Sequence, residues 1–240
     1  MTTLARITIA ALMALFLSSC VFDMNFGQGK MGNGVVATES RDVYEEFTEV
    51  AASEGIDVYV TQGEAFSIEV EGDENIIELI GTDIKNGKLK VHAIENIGRA
   101  TKRVNVSLPE ITALYASSGA DLVSRNTIRA NKVSLDASSG GGIKVSAVAE
   151  EVQADASSGA DIRLEGEATL LYADASSGAN IKARDLEVRT CHADASSGAD
   201  IAVNVSGSLI ADASSGANIS YIGDANLEKK KSVSGSVRKD

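Results

Sequence analysis

Five aspartates, Asp136, Asp155, Asp174, Asp194 and Asp212, each stand one residue before an alanine in successive copies of a short motif. Carboxylates that return to one place in a repeat could do different chemistry. A row of hard oxygen ligands could hold divalent cations such as Ca²⁺, which want several carboxylate and carbonyl oxygens. The plainer alternative is that each Asp hydrogen-bonds the backbone of the turn that follows, as an Asx-type cap. Neighbouring carboxylates about 5 Å apart repel by ~1 kcal/mol even with the screening of bulk water. A bare row therefore calls for a cation or a cap. A second set, Asp121, Gly142, Asp161, Asn180, Asp200 and Asn218, lies just after the same turn and never places Asp in two adjacent copies. That alternation relieves repulsion and reads as a structural ladder of Asx side chains.

The other reactive residue types are poorly placed for catalysis. Serine pairs such as Ser157-Ser158 and Ser176-Ser177 need a base within hydrogen-bond reach to act as nucleophiles, and the chain has 2 histidines. His192 follows Cys191, and adjacent residues of a strand face opposite sides, so a Cys–His dyad there is excluded. A single histidine does not make a zinc site. Stacked hydroxyl ladders are the expected role of the serines, and no catalytic residue is assigned.

What must position these residues is a repeat. The hexapeptide Ala-Ser-Ser-Gly-Ala-Asp begins at Ala116 and recurs with small changes at Ala137, Ala156, Ala175, Ala195 and Ala213. A unit of roughly twenty residues, with apolar and polar residues alternating on both sides of a glycine corner, has strands but no room for a helix. Such units bury their apolar face only by stacking on the next copy. The expected fold is an all-β solenoid with rungs rising ~4.8 Å each. Its interior columns are the six alanines above and Leu122, Ile143, Ile162, Ile181, Ile201 and Ile219. Gly119, Gly140, Gly159, Gly178, Gly198 and Gly216 form the corner column, where a positive φ or a close approach of backbones would demand glycine. The repeat-bearing part spans about 113–222.

Composition agrees with this and narrows the partners. Gly is frequent at 22 copies, Trp is absent and aromatics are 4% of the chain, so the core must be small and aliphatic. A net charge of −12, with Lys229, Lys230 and Lys231 as the only basic run, excludes nucleic acid as a partner. Cys20 and Cys191 are the 2 cysteines. The first segment is a targeting signal: Arg6, then an apolar stretch from Ile7 to Leu17 that is too short to span a bilayer. It ends in Leu17-Ser18-Ser19-Cys20, which resembles the bacterial lipobox. That likeness implies cleavage before Cys20, a diacylglycerol on its sulfur, and a lipid-anchored protein. With Val21 rather than Asp next in line, the outer membrane is the expected destination. Residues 1–19 are read as signal peptide, 20–38 as a tether without period and 39–240 as one solenoid domain.

Upstream of the repeat, residues 40–112 lack the hexapeptide but stay strand-like. Ile56, Val58 and Val60 alternate, as do Phe66, Ile68 and Val70, and Asn86-Gly87 reads as a tight hairpin turn. This region is expected to supply divergent early rungs and an N-terminal cap over an otherwise open sheet edge. Residues from Tyr221 onward are expected to close the other end.

The order of features resembles the GIN-domain family, known as the auto-transporter adhesin head GIN domain, of bacterial envelope lipoproteins. The matching stretches are Gly55 to Val60, Val70 to Val91 with its Asn-Gly turn, Val104 to Pro109, and the repeated Ser-Gly-Ala-Asp/Asn-Ile. The resemblance covers about residues 40–237 and implies a right-handed β-helix-like solenoid. It supplies no catalytic motif, and "adhesin" is a label of analogy.

Three functions follow for comparison. The first is a non-catalytic binding or structural solenoid of the cell envelope, adhesin-like, whose partner is an envelope protein or glycan. The second is a solenoid that binds divalent cations through the Asp136–Asp212 row; no other cofactor is expected. The third is a polysaccharide-active β-helix enzyme, against which stand the missing Trp and the lack of an arginine column beside the carboxylates.

Overall fold

Alternation along a single strand shows how the chain builds its core. From Asp161 to Ala175, the side chains of Ile162, Leu164, Leu171, Ala173 and Ala175 are buried while Arg163, Glu165, Tyr172 and Asp174 face out. A computed structural model describes residues 29–229 and 234–240; residues 1–28, with the expected signal peptide and Cys20, and 230–233 lie outside them. Its five longest strands form the middle of the repeat: β10 (Ile128–Ala137), β11 (Gly142–Ala156), β12 (Asp161–Ala175), β13 (Asn180–Ala195) and β14 (Asp200–Ala213). Each of β11 to β14 leaves one Ser-Ser-Gly corner and runs on to the next. They pair in parallel, Ile on Ile and Asp on Asp.

The uneven spacing of the copies is absorbed away from the corners. Between β12 and β13 the register slips at Arg163/Glu165, and between β13 and β14 it slips at Ala183/Glu187 and Val188/Thr190. Bulges of this kind take up extra residues locally. The corners and the columns beside them stay aligned. Leu122, Ile143, Ile162, Ile181, Ile201 and Ile219 are at most 2% exposed, and the six hexapeptide alanines at most 3%. Each large aliphatic so buried contributes ~1.5–3 kcal/mol. The second alanine of the motif is buried as well, at Ala120, Ala160, Ala179, Ala199 and Ala217.

The N-terminal part holds a rung that the motif search passes over. Strands β2 (Glu49–Ala52) and β3 (Asp57–Gln62) are joined by Ser53, Glu54, Gly55 and Ile56, and they lie in register on β8 (Ala113–Ala116) and β9 (Asp121–Ser124). Ala52-Ser53-Glu54-Gly55-Ile56-Asp57 is thus a degenerate copy of the hexapeptide, with Ala52 over Ala116 and Asp57 over Asp121. This corrects the reading that residues 40–112 lack it.

Sequence order and spatial order then part. After β3 the chain forms β4 (Ser67–Asp73), a short 3-10 turn, β5 (Ile80–Lys85), β6 (Lys88–Ala93) and β7 (Lys102–Leu108). Strands β6 and β7 lie in parallel on the free sides of β2 and β3, so the first rung in sequence is not the outermost. Outside them, β5 pairs with β6 and β4 with β7, both antiparallel, and β1 (Val36–Arg41) pairs with β4. The Asn86-Gly87 turn joins β5 to β6 with positive φ at both residues, as its sequence predicts. On β1, Glu39 and Arg41 lie opposite Val70 and Ile68 and pair with each other at 2.9 Å. Charges at these inward positions end the apolar column and blunt the edge against further strands.

Residues 29–38, expected as the end of a tether, lie on this cap instead. Lys30 bridges to Ile97, and Val36 begins β1. The anchor is Asp73, 3% exposed, whose carboxylate accepts from the Gly34 N–H at 2.5 Å and the Thr101 N–H at 2.6 Å. The folded body therefore starts ahead of residue 39. At the other end β15 (Asn218–Ile222), β16 (Asn226–Lys229) and β17 (Ser236–Lys239) close the stack on β14 and β15.

Candidate functional site

Every repeat corner has the same backbone. Ser118, Ser139, Ser158, Ser177, Ser197 and Ser215 have φ of 50–54°, and the following glycines φ of 71–77°. Two successive residues with positive φ give the pattern of a type I′ turn, closed for instance by the Ala160 N–H donating to Ser157 at 3.2 Å. A Cβ placed on any of these six glycines would meet nothing within 4 Å. Of the two expected reasons for glycine, positive φ is the one that applies.

Two amides of each corner are taken by the neighbouring rungs and a third closes the turn itself. Ser157 N–H donates to Ala137 and Gly159 N–H to Ser177, each carbonyl belonging to an adjacent copy. Among the described residues no aspartate of the row accepts from a corner amide, so the expected capping role is not seen. Asp136, Asp155, Asp174, Asp194 and Asp212 stack rung on rung in register on the outer face. Among the described residues their one hydrogen-bond partner is Gln153, whose amide donates to Asp155 at 3.0 Å. Burial, with Asp194 and Asp155 adding repulsion, holds the Asp174 carboxyl above its ordinary range. Burial also raises Asp155, opposed by the Gln153 hydrogen bond and reinforced by Asp136. At its head the row gives way to Tyr115, under the Lys88 ammonium at 3.7 Å. Among the described residues no group of three or more His, Cys, Asp or Glu side chains is placed to hold a metal ion. The row offers its carboxylates one per rung, so a cation there would bridge neighbours.

The second column behaves as a structural ladder, with one exception. Asn180 donates to Asp161 at 3.2 Å and Asn218 to Asp200 at 3.0 Å, one rung to the next. Asp121, however, lies beside Asp57 of the degenerate rung, and burial followed by that neighbour raises its carboxyl. Gly142 leaves that carboxylate room, for a Cβ there would stand 2.2 Å from an Asp121 oxygen and would turn the side chain aside.

Beside the aspartate row runs a stripe that the motif analysis did not single out: Ser134, Gln153, Tyr172, His192 and Ile210 in register. Tyr172 and His192 stack with ring centroids 5.0 Å apart. A concavity of about 480 Å³ joins this stripe to Asp155, Asp174, Asp194 and Asp212. Along the middle of the long strands, a larger groove of about 1070 Å³ crosses the rungs over Ala130, Ala149, Ala168 and Val188. Glu150, Glu167, Glu187, Arg129 and Arg189 line it, and Lys132, shared by both concavities, pairs with Glu151 at 2.8 Å. The signal for the stripe was its position two residues before each Asp, but its side chains differ in every copy.

None of this is nucleophile chemistry. Cys191 is fully buried, and burial pushes its thiol up to about 12. His192 lies on the opposite face against Tyr172, and His92 faces Asp83 at 3.4 Å in the β5–β6 hairpin. Among the described residues neither histidine hydrogen-bonds a serine.

Fold and face together define a β-solenoid whose outer face stacks one aspartate per rung beside a stripe of varied side chains, grooved along one side. The chain belongs to the family described as "Putative auto-transporter adhesin, head GIN domain", which matches residues 46–225. Solved structures share the fold. A protein from Bacteroides fragilis described as a putative adhesin superposes with a TM-score of 0.79 at 19% identity, over 88% of this chain and 100% of that one. A second putative adhesin, from Parabacteroides merdae, gives 0.69 at 18% identity over 89% and 99%. A protein from Parabacteroides distasonis described as a putative lipid binding protein gives 0.67 at 19% identity over 88% and 98%. No curated protein matches the chain.

Proposed function

We propose that this chain is a non-catalytic binding module of the bacterial envelope, lipid-anchored through Cys20 at the outer membrane and adhesin-like in its action. The observation that carries this reading is the continuous side that runs across successive rungs, from the groove over Ala149 and Ala168 to the Asp136–Asp212 row. A surface repeated every ~4.8 Å suits an extended partner lying along the axis, an envelope protein segment or a glycan. The row's five carboxylates have no basic partner among the described residues, so they favour positive charge on that partner. The reading of the family as adhesins agrees. The test is binding of the mature chain to outer-membrane preparations and to immobilised oligolysine as a model cationic strand. An Asp155→Asn, Asp174→Asn, Tyr172→Ala variant should lose that binding while keeping its fold. Binding unchanged in the variant would reject this face.

The second reading, cation bridging along the row, is favoured by the mutual repulsion of Asp155 and Asp174. One ion held at a hundredfold excess over its dissociation constant would add ~2.7 kcal/mol to stability. Thermal unfolding in millimolar Ca²⁺ against NaCl of equal ionic strength decides it: a Ca²⁺-specific rise lost in Asp155→Asn, Asp174→Asn supports bridging, and identical curves reject it.

A further inference from the structure

We infer that the cap of the solenoid is a membrane-contact surface, which seats on the bilayer that holds the protein's own lipid anchor. Six large apolar side chains are exposed among the described residues, and four of them lie on segments that the cap bonds together where the chain enters the fold: Met31 (52% exposed), Val35 (53%), Val36 (50%) and Ile94 (60%). They are held there by the cap. The Val35 carbonyl accepts from the Glu74 N–H at 2.8 Å, the Met31 carbonyl from the Asn75 amide at 2.9 Å, and the Ile94 N–H donates to Leu79 at 2.8 Å. Met31 sulfur lies over Gly98, where a Cβ would come within 2.7 Å of it. The segment is fastened by the buried Asp73 carboxylate, so its apolar residues are presented rather than free to turn inward.

A cluster of exposed apolar residues on one end of a molecule marks an interaction site. The length of chain beyond it identifies the occupant. Nine peptide steps separate Cys20 from Gly29, a reach of about 30 Å at full extension. This inference rests on the lipid-anchor reading of Cys20, for an acylated Cys20 holds Gly29, and with it the cap, within that distance of the bilayer. Charge near the patch is mixed, with Lys30 and Arg99 set against Glu74, Glu95 and the buried Asp73. The Asp136–Asp212 row lies away from it, on the repeat-bearing rungs. An apolar patch beside an acyl anchor supplies the second contact that firm interfacial attachment needs. The solenoid then stands on its cap, with the ladder-bearing side clear of the lipid.

The experiment uses the mature lipidated chain in phosphatidylcholine vesicles, some carrying a lipid-borne fluorescence quencher. A dye is placed at Glu95→Cys beside the patch or at Asp224→Cys at the far end; buried Cys191 does not compete for label. The dye at 95 should be quenched several-fold more than the dye at 224. Replacing the patch by Met31→Asp, Val35→Asp, Ile94→Asp should bring quenching at 95 down to the distal level without moving the unfolding midpoint. Vesicle-bound protein with equal quenching at both positions overturns the inference, as does strong quenching that survives the patch replacement. A dye at 95 shielded from solvent but not quenched would mean that residues 21–28 cover the patch, which also overturns it. Protein that fails to sediment with vesicles defeats the anchor reading and the inference together.

Discussion

The backbone N–H of Gly178 donates to the carbonyl of Ser197, one copy further along the chain, at 3.1 Å. The same bond joins Gly159 to Ser177 and Gly198 to Ser215. A corner that would ordinarily be a solvated loop is therefore part of the ladder. Both partners depend on left-handed backbone, at φ of 71° for Gly178 and 53° for Ser197, so the hydrogen bond and the conformation stand or fall together.

Substitution at Gly178 should follow the cost of that conformation and not of side-chain volume, since a Cβ meets nothing within 4 Å. Asn tolerates left-handed backbone better than Ala, and β-branched residues tolerate it least. Gly178→Asn should cost least, Gly178→Ala about 1 kcal/mol, and Gly178→Val more. Chemical denaturation of the three variants checks the order; three equal midpoints would contradict it.

The adjoining column is governed by packing. Ile181 is fully buried between Ile162 and Ile201, and truncation leaves a cavity its stacked neighbours cannot fill. Ile181→Ala should lose ~2–5 kcal/mol, read as a lower denaturant midpoint with an unchanged slope. Wild-type stability would remove Ile181 from the core.

The repeat made much of this legible beforehand. Period-two alternation and the invariant corner place Ala156, Gly159 and Ile162 correctly because each copy presents the same local problem. The degenerate copy at Ala52 escaped notice because Glu54 and Ile56 replace Ser and Ala, although Ala52, Ser53, Gly55 and Asp57 keep the pattern. The excursion that puts β6 and β7 outside β2 and β3 is a matter of long-range pairing, which no local period encodes. Asp73 was invisible for a similar reason, since its partners at Gly34 and Thr101 are distant in sequence. For the aspartate row the position was legible and the environment was not, because the fate of the corner amides is set by adjacent rungs.

Removal of the acyl acceptor tests the anchor directly. A Cys20→Ser change should leave unprocessed precursor or move the protein out of the membrane fraction. Processing and fractionation like wild type would contradict the anchor.

The aspartate row should make stability depend on pH in a direction opposite to that of a salt-bridged carboxylate. Asp174 is held above its ordinary range by burial and by Asp194 and Asp155, and Asp155 is raised chiefly by burial. In the unfolded chain both return to about 3.9. Between that value and the raised one, the folded state binds more protons than the unfolded state, so stability falls as pH rises through the window. Below about 3.9 both states are protonated and this penalty is absent; above the raised value it is present in full. Solvent screens the part of the row that is exposed, which keeps the effect modest. Asp174→Asn removes the charge while keeping size and polarity. It should raise the melting temperature at neutral pH, leave it near wild type at the acid end of the window, and flatten the slope between. High salt should narrow the difference, as it weakens repulsion between exposed charges. A variant less stable than wild type at neutral pH would show that the Asp174 carboxylate makes a favourable contact, and would contradict mutual repulsion as the state of the row.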